Sequence, residues 1–156
     1  YYLSWKARQN GFESRFIDLA GHINSSMPGF VVELVVAALS EQRKPLLDAR
    51  VHLFGVAYKP SVGDVRESPA IDIAHLLQRG GAVVSYSDPH VPRVNHAGLE
   101  FEALPCEVAL EQGFDCGVIT TGHPEFDYAA IAERSVCLVD TCNALRGLSG
   151  DHIRRL

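Results

Sequence analysis

Cationic charge is in short supply in this chain, which carries 14 Lys and Arg against 19 Asp and Glu for a net charge of −5. That balance argues against a DNA or RNA partner, because nucleic-acid affinity is built largely from cationic contacts that release counterions. Cysteine is scarce as well: Cys106, Cys116, Cys137 and Cys142 are the four thiols, irregularly spaced and without a C-x-x-C pair. Neither a disulfide framework nor a structural zinc site is therefore expected. The thiols read as buried, and the seven scattered His residues as solvated imidazoles, in a reducing, cytoplasmic setting. Long apolar runs are missing. The longest candidate, Phe30 to Leu39, contains Glu33 and falls short of the roughly 18 to 20 residues that cross a bilayer, so no membrane partner is expected. No G-x-S-x-G elbow, no G-x-x-x-x-G-K-[ST] loop and no paired carboxylates can be defended from spacing.

What is present is the composition of a folded domain. At 156 residues, 47% apolar and 21% charged, the chain is near the ~150 residues of one typical domain. It opens Tyr1-Tyr2-Leu3-Ser4-Trp5 in mid-pattern without an initiator Met, which leads us to expect a piece of something longer. The first forty residues read as helical: Leu3 and Ala7, then Phe16, Ile17, Ala20 and Ile23, recur at spacings of three and four, with Gly11 as an interruption. A second helix is expected to start at Pro28, carrying Val31, Leu34, Val35, Ala38 and Leu39 on one stripe. Its further apolar residues suit either packing within the domain or a subunit interface.

From Arg50 the pattern changes to alternating short strands and helices, the signature of an α/β sheet. Strands are expected at Val51 to Ala57, Ala82 to Ser87, Cys116 to Thr120 and Val136 to Val139. Ser68-Pro69 has the chemistry of an N-cap followed by proline at the first helical position, and Gly80-Gly81 stops that helix. Further helices are expected near Cys106 to Gln112 and over Pro124 to Glu133, while Val91 to Leu104 reads as loop or a short edge strand.

Ligands of open α/β sheets settle beyond the carboxyl ends of the strands, where helix N-termini point their N–H groups outward. The richest loop there is Tyr58 to Ser68, in which Lys59 and Arg66 supply cations beside a helix start and Tyr58 offers a ring for stacking on a base. That set suits a nucleotide diphosphate. The plainer alternative is a solvated loop with Lys59 and Arg66 paired to Asp64 and Glu67. A dinucleotide fingerprint would need G-x-G-x-x-G where the chain reads Gly55-Val56-Ala57-Tyr58-Lys59-Pro60, and only the first glycine matches. Asp88 sits where a ribose-binding acid would lie, but an Asx turn before Pro89 is the preferred reading. Cys142, at a strand's carboxyl end, is not read as a nucleophile, because no His is placed beside it.

These residues also carry a resemblance. Gly55 to Ala70 resembles the G-x-A-[FY]-K-x(4)-D-x-R-E-S-[PS] segment of the UDP-sugar 6-dehydrogenases, Tyr86 to Pro92 their strand ending Y-x-D-P-x-V, and Ile23 to Pro28 their I-N-x-x-M-P helix segment. The opening Tyr1 to Arg8 resembles the segment just after the catalytic-cysteine motif in the branch acting on UDP-N-acetylhexosamines. The resemblance implies a Rossmann-like three-layer α/β domain with a mostly parallel sheet over residues 46–156, which binds the UDP-sugar, preceded at 1–45 by the end of a helical region that forms a homodimer. It further implies NAD-dependent oxidation of a sugar C6 alcohol to the uronate through a thiohemiacetal and a thioester, in a cytoplasmic enzyme feeding polysaccharide synthesis. The catalytic Cys and most of the NAD site would lie upstream, leaving no catalytic residue in this chain. Tyr58 and Lys59 fall at the family's substrate-binding positions and Arg66 at one that reaches NAD. Where the family usually reads D-[GT]-R, this chain reads Asp140-Thr141-Cys142, and a thiol does not replace a bidentate cation. His123 and Arg146 are candidates for the lost contact by proximity. Two other readings stand beside this one: an assembly and docking module with a decayed nucleotide pocket, and a free-standing NAD-binding domain.

Overall fold

The computed structural model describes residues 5, 6, 9–13 and 15–156. The expected helical positions Leu3 and Ala7 lie outside the described residues, as does most of the opening octapeptide. Helix α1 runs over Arg15–Glu41 and is followed by strand β1, Arg50–Phe54, helix α2, Pro69–Arg79, and strand β2, Val83–Ser87. Strands β3, Arg93–His96, and β4, Leu99–Glu102, precede helix α3, Cys106–Gln112. Strand β5, Cys116–Ile119, helix α4, Tyr128–Arg134, and strands β6, Leu138–Asp140, and β7, Ile153–Arg155, complete the order.

Pro28 does not begin a helix; it sits inside a continuous α1. Proline removes one helical hydrogen bond and costs roughly 3 kcal/mol in an isolated helix. Here the buried stripe that begins at Pro28 and continues through Val31, Val35, Ala38 and Leu39 offsets that cost by anchoring the second half of the helix in the core. By length and composition α1 is apolar enough to cross a membrane, which corrects the expectation that no segment reaches that length. The same composition serves a core helix, and Val31, Val35, Ala38 and Leu39 belong to one core cluster with Val51, Leu53, Val118 and Val139 of the sheet.

The five-stranded sheet has the order β2-β1-β5-β6-β7 with every pairing parallel. Alternation along each strand divides the core in two. Val51, Leu53, Cys116, Val118 and Val139 meet α1 and α2, while Phe54, Ile119 and Leu138 meet Leu110, Phe114, Phe126 and Ile131 on the other face. The result is the three-layer, Rossmann-like arrangement expected from the sequence. Gly117 has no room for a side chain, because a Cβ there would lie 2.7 Å from Leu138 and 3.1 Å from Phe54.

The ambiguous stretch before α3 is an antiparallel hairpin of β3 and β4 with His96 paired to Leu99, turned by Ala97 at φ 52° and Gly98 at φ 82°. Two successive positive φ values define the tight turn whose twist suits a hairpin. Alanine in its first position hides the signal, since Asn or Asp is the usual residue there. The three-residue β7 was not anticipated; it extends the sheet beyond β6 by pairing Leu138 with Ile153.

His52 lies at the middle of β1 in the second face, stacked on Phe114 at 5.5 Å and edge-on to Phe54 at 4.7 Å. Its ring nitrogens bond the Ser85 and Ser87 hydroxyls at 2.8 and 2.9 Å. Burial pushes its pKa down from 6.5 to about 4. The unfolded chain therefore binds a proton that the folded one refuses, and stability drops as pH falls through that interval. Urea titrations should show a loss of stability between about pH 6.5 and 4, and His52→Gln should reduce the slope of that loss.

Candidate functional site

The chain leaves β1 to one side to build β2 and returns on the other side as β5, so β1 and β5 flank the switch point of the sheet. Loops diverge there and ligands of such folds collect. Gly55 ends β1 at φ 81°, and a Cβ on it would stand 2.4 Å from the Thr121 carbonyl oxygen. Only glycine both adopts that conformation readily and permits this approach. Thr121 reaches back to the same loop, its Oγ1 donating to the Ala57 carbonyl at 2.6 Å.

Asp88, at the end of β2, secures the base of the 55–68 loop. Its Oδ2 accepts from the Val56 and Ala57 N–H groups at 2.7 and 3.0 Å, and its Oδ1 from those of His90 and Val91 at 2.8 and 3.0 Å. His123 Nε2 donates to Oδ2 at 3.0 Å, with both side chains fully buried. The other nitrogen of the ring, Nδ1, accepts from the Ser61 N–H at 3.2 Å, so this arrangement holds the neutral Nε2–H tautomer. The Asx turn read from the sequence is present in the His90 and Val91 bonds. The ribose role is not open to Asp88, because its oxygens are spent inside the protein. His123 likewise cannot replace the arginine contact: the ring is buried and both nitrogens are engaged.

Above this clamp the loop is exposed. The Tyr58 N–H donates to the Asp64 carbonyl at 2.7 Å and closes the loop on itself, and Gly63 packs so closely that a Cβ would lie 2.7 Å from the His90 carbonyl oxygen. Lys59 Nζ lies 5.3 Å from the centroid of the Tyr58 ring, and among the described residues no carboxylate stands within ion-pair distance of it. Arg66 differs. Its Nε and Nη2 meet Asp64 at 3.0 and 2.8 Å, and these hydrogen bonds hold the Asp64 carboxyl down at about 2. The loop is solvated at both cations, but the expected carboxylate pairing is present for Arg66 and absent, among the described residues, for Lys59.

Ser68 caps α2, its hydroxyl accepting from the Ala70 N–H at 3.4 Å with Pro69 in the first turn. That helix start borders a cleft of about 220 Å³ lined by Met27, Val31, Pro69, Ala70, Thr120 and Thr141 among others. Lys59 and Tyr58 stand outside this lining. Asp140 shapes the loop after β6 as Asp88 shapes the first: it is buried and accepts from the N–H groups of Cys142, Ala144 and Leu145 at 3.2, 3.1 and 2.8 Å. Burial first, and then the Asp140 carboxylate, push the Cys142 thiol up to about 11. It is a protonated thiol at neutral pH, in keeping with its not being a nucleophile. Its sulfur borders Gly122, one residue from His123, where a Cβ would lie 3.5 Å away, so the loops after β1, β5 and β6 converge on one edge. Arg146 is exposed on the last of them.

Among the described residues, His90, His123 and Glu125 form a grouping of metal-ligand types. His90 Nε2 already bonds Glu125 at 2.9 Å and both His123 nitrogens are taken, so a cation would have to break one of these bonds. An NAD pyrophosphate does not fit the first loop as a resident group, since the later glycines of its fingerprint are absent and Asp88 is occupied.

The sequence profile of the UDP-glucose/GDP-mannose dehydrogenase family, UDP binding domain, matches residues 52–147. The chain belongs to this family. It is 31% identical over 124 residues to the UDP-N-acetyl-D-mannosamine dehydrogenase of Methanococcus maripaludis, covering 78% of this chain and 27% of that protein. It is 29% identical over 126 residues to the UDP-N-acetyl-D-glucosamine 6-dehydrogenase of Pseudomonas aeruginosa, covering 81% and 30%. Among solved structures, the UDP-N-acetyl-mannosamine dehydrogenase Cap5O of Staphylococcus aureus superposes with a TM-score of 0.72 at 27% identity, over 99% of this chain and 35% of that one. The chain thus spans about a third or less of the length of the relatives it matches.

Sequence reasoning singled out Lys59, Tyr58 and Arg66 and located the capped helix but missed the clamp. The only sign of His123 was its place between Gly122 and Pro124 at a strand's carboxyl end. Removing the carboxylate would strand several buried N–H donors, each costing about 1–3 kcal/mol. Asp88→Ala should lower unfolding free energy by more than about 3 kcal/mol in urea titrations. Asp88→Asn should recover only part of this, because its amide turns donors toward donors.

Proposed function

We propose that this chain holds the UDP moiety of a UDP-sugar, most consistently a UDP-N-acetylhexosamine, for a cytoplasmic NAD-dependent dehydrogenase that oxidises the sugar C6 alcohol to the uronate for polysaccharide synthesis. In this reading residues 46–156 are the nucleotide-binding domain and residues 1–45 the end of a helical dimerisation region. The reacting cysteine and the main NAD-binding fold come from other parts of the parent protein. The observation that carries the proposal is the switch-point loop: it is clamped at its base by Asp88 and His123, yet presents Tyr58 exposed and Lys59 without a carboxylate partner among the described residues. A flat ring and an unpaired ammonium on one loop suit a uridine and its two phosphates. Arg66 would exchange Asp64 for an NAD phosphate contributed from outside this domain. Cys142 would line the site without supplying the charge that Arg provides in the usual D-[GT]-R pattern, and Arg146, exposed on the same loop, would supply it.

The docking-module reading keeps one observation in its favour. On α1, Phe16 is 89% exposed and Leu19, Ile23 and Phe30 about half exposed, an apolar face suited to a second copy of the chain. The two readings separate experimentally. Isothermal titration with UDP and with UDP-N-acetylglucosamine should give a binding heat, and Lys59→Ala should weaken it about 10- to 100-fold, the worth of one charge-assisted contact. No heat from either nucleotide, together with a stable dimer by light scattering, would leave only the docking role. Heat with NAD but not with UDP would support the free-standing NAD domain.

A further inference from the structure

We propose that Cys116 and Cys137 form a reversible dithiol site, oxidised by hydrogen peroxide to a disulfide that joins β5 to the entry of β6. The pair lies at the amino edge of the sheet, opposite the nucleotide loops, and the proposal stands independently of the function assigned to them. The two sulfurs are 3.4 Å apart. Gly117 pairs with Leu138 in the parallel ladder, and the Gly117 N–H donates to the Cys137 carbonyl at 2.9 Å. Cys116 and Cys137 are therefore the pair immediately before it, with both side chains in the same core cluster against α1. Neighbouring strands lie about 4.7–4.9 Å apart, inside the roughly 4.4–6.8 Å that Cα atoms span across a disulfide. Cys137 precedes the first residue of β6, so its backbone can adjust without breaking the ladder. Side-by-side parallel neighbours do not offer the ideal Cβ approach, and a strained bridge is the readily reduced kind.

The surroundings assign the two sulfurs different tasks. Cys137 lines a cleft of about 250 Å³ together with Gln42, His152 and Arg154, whereas Cys116 lies beneath it with no exposed surface. The sulfur–sulfur contact draws the Cys137 thiol downward, and the same contact with burial pushes Cys116 upward. Cys137 is then the sulfur that meets the oxidant. Its thiolate attacks one peroxide oxygen, breaking the O–O bond, forming a sulfenic acid and releasing one water once the leaving oxygen takes up a proton. The Cys116 sulfur attacks the sulfenic sulfur, and the sulfenic oxygen leaves with protons as a second water. Two thiols lose two electrons and one peroxide gains them. The remaining thiols lack such a partner: Cys106 and Cys142 are each held at about 11, and neither is in sulfur contact with another cysteine among the described residues.

The test exposes the whole 156-residue chain to hydrogen peroxide, quenches it with N-ethylmaleimide in denaturant, and reads intact mass and cleaved peptides. The expected product has lost two hydrogen atoms, carries alkylation on Cys106 and Cys142 only, and yields a linked peptide containing Cys116 and Cys137; dithiothreitol restores all four thiols. The double variant Cys106→Ser/Cys142→Ser should behave in the same way, which keeps the outcome readable even if Cys137→Ser fails to fold. Alkylation of all four thiols after peroxide treatment, or bridges found only at Cys142 or between copies, would overturn the proposal.

Discussion

Asp88 accepts hydrogen bonds from four backbone N–H groups and one imidazole inside the protein, and the geometry of the ligand-facing edge depends on that one buried carboxylate. A charge taken out of water is tolerable only when its lone pairs are filled. The chain fills them by bringing the start of the 55–68 loop, the turn after β2 and the loop after β5 to a single point. His123 extends the hold to the loop's middle by accepting from Ser61, and Tyr128 anchors the His123 carbonyl at 2.7 Å. Asp140 repeats the device at the carboxyl end of β6. Carboxylates at the strand ends thus hold the loops in shape, leaving the cations to face solvent.

This division bears on how the edge recognises a ligand. A nucleotide diphosphate needs donors and positive charge presented outward on a backbone that does not collapse when the ligand leaves. Under the proposed function Lys59 would meet that requirement, held beside Tyr58 on a loop tied from below. Arg66, bound to its near neighbour Asp64, is a cation held in reserve, because an exposed ion pair is worth little and exchanges easily. His123 is spent on Asp88 and Ser61 beneath the loop, so the proposed ligand would meet the exposed Tyr58–Lys59 part of the loop rather than the His123 ring.

Much of this was legible in the residues. Ser68-Pro69 names a helix start because each residue satisfies a local rule, and the alternating pattern from Arg50 onward names a parallel α/β sheet because burial on both faces demands continuous apolar strands. Other parts were not legible. Pro28 looked like a beginning and proved to be interior, since packing of the α1 stripe outweighs a local cost. Ala97-Gly98 turned a hairpin without the Asn or Asp that would have announced it. His123 looked available for a ligand, whereas its ring is consumed by Asp88 and Ser61, partners 35 and 62 positions away in the chain.

What the sequence determined by itself was the layer order, the capped second helix, the family, and the loop that carries Tyr58 and Lys59, because each rests on residues adjacent in the chain or on a repeating period. Only the tertiary structure decided which polar groups are spent and which remain open: that Asp88 and His123 are interior, that Arg66 is paired while Lys59 is not, and that Cys116 touches Cys137. Those outcomes depend on which distant side chains arrive at hydrogen-bond or van der Waals distance, and sheet order, not sequence proximity, sets that.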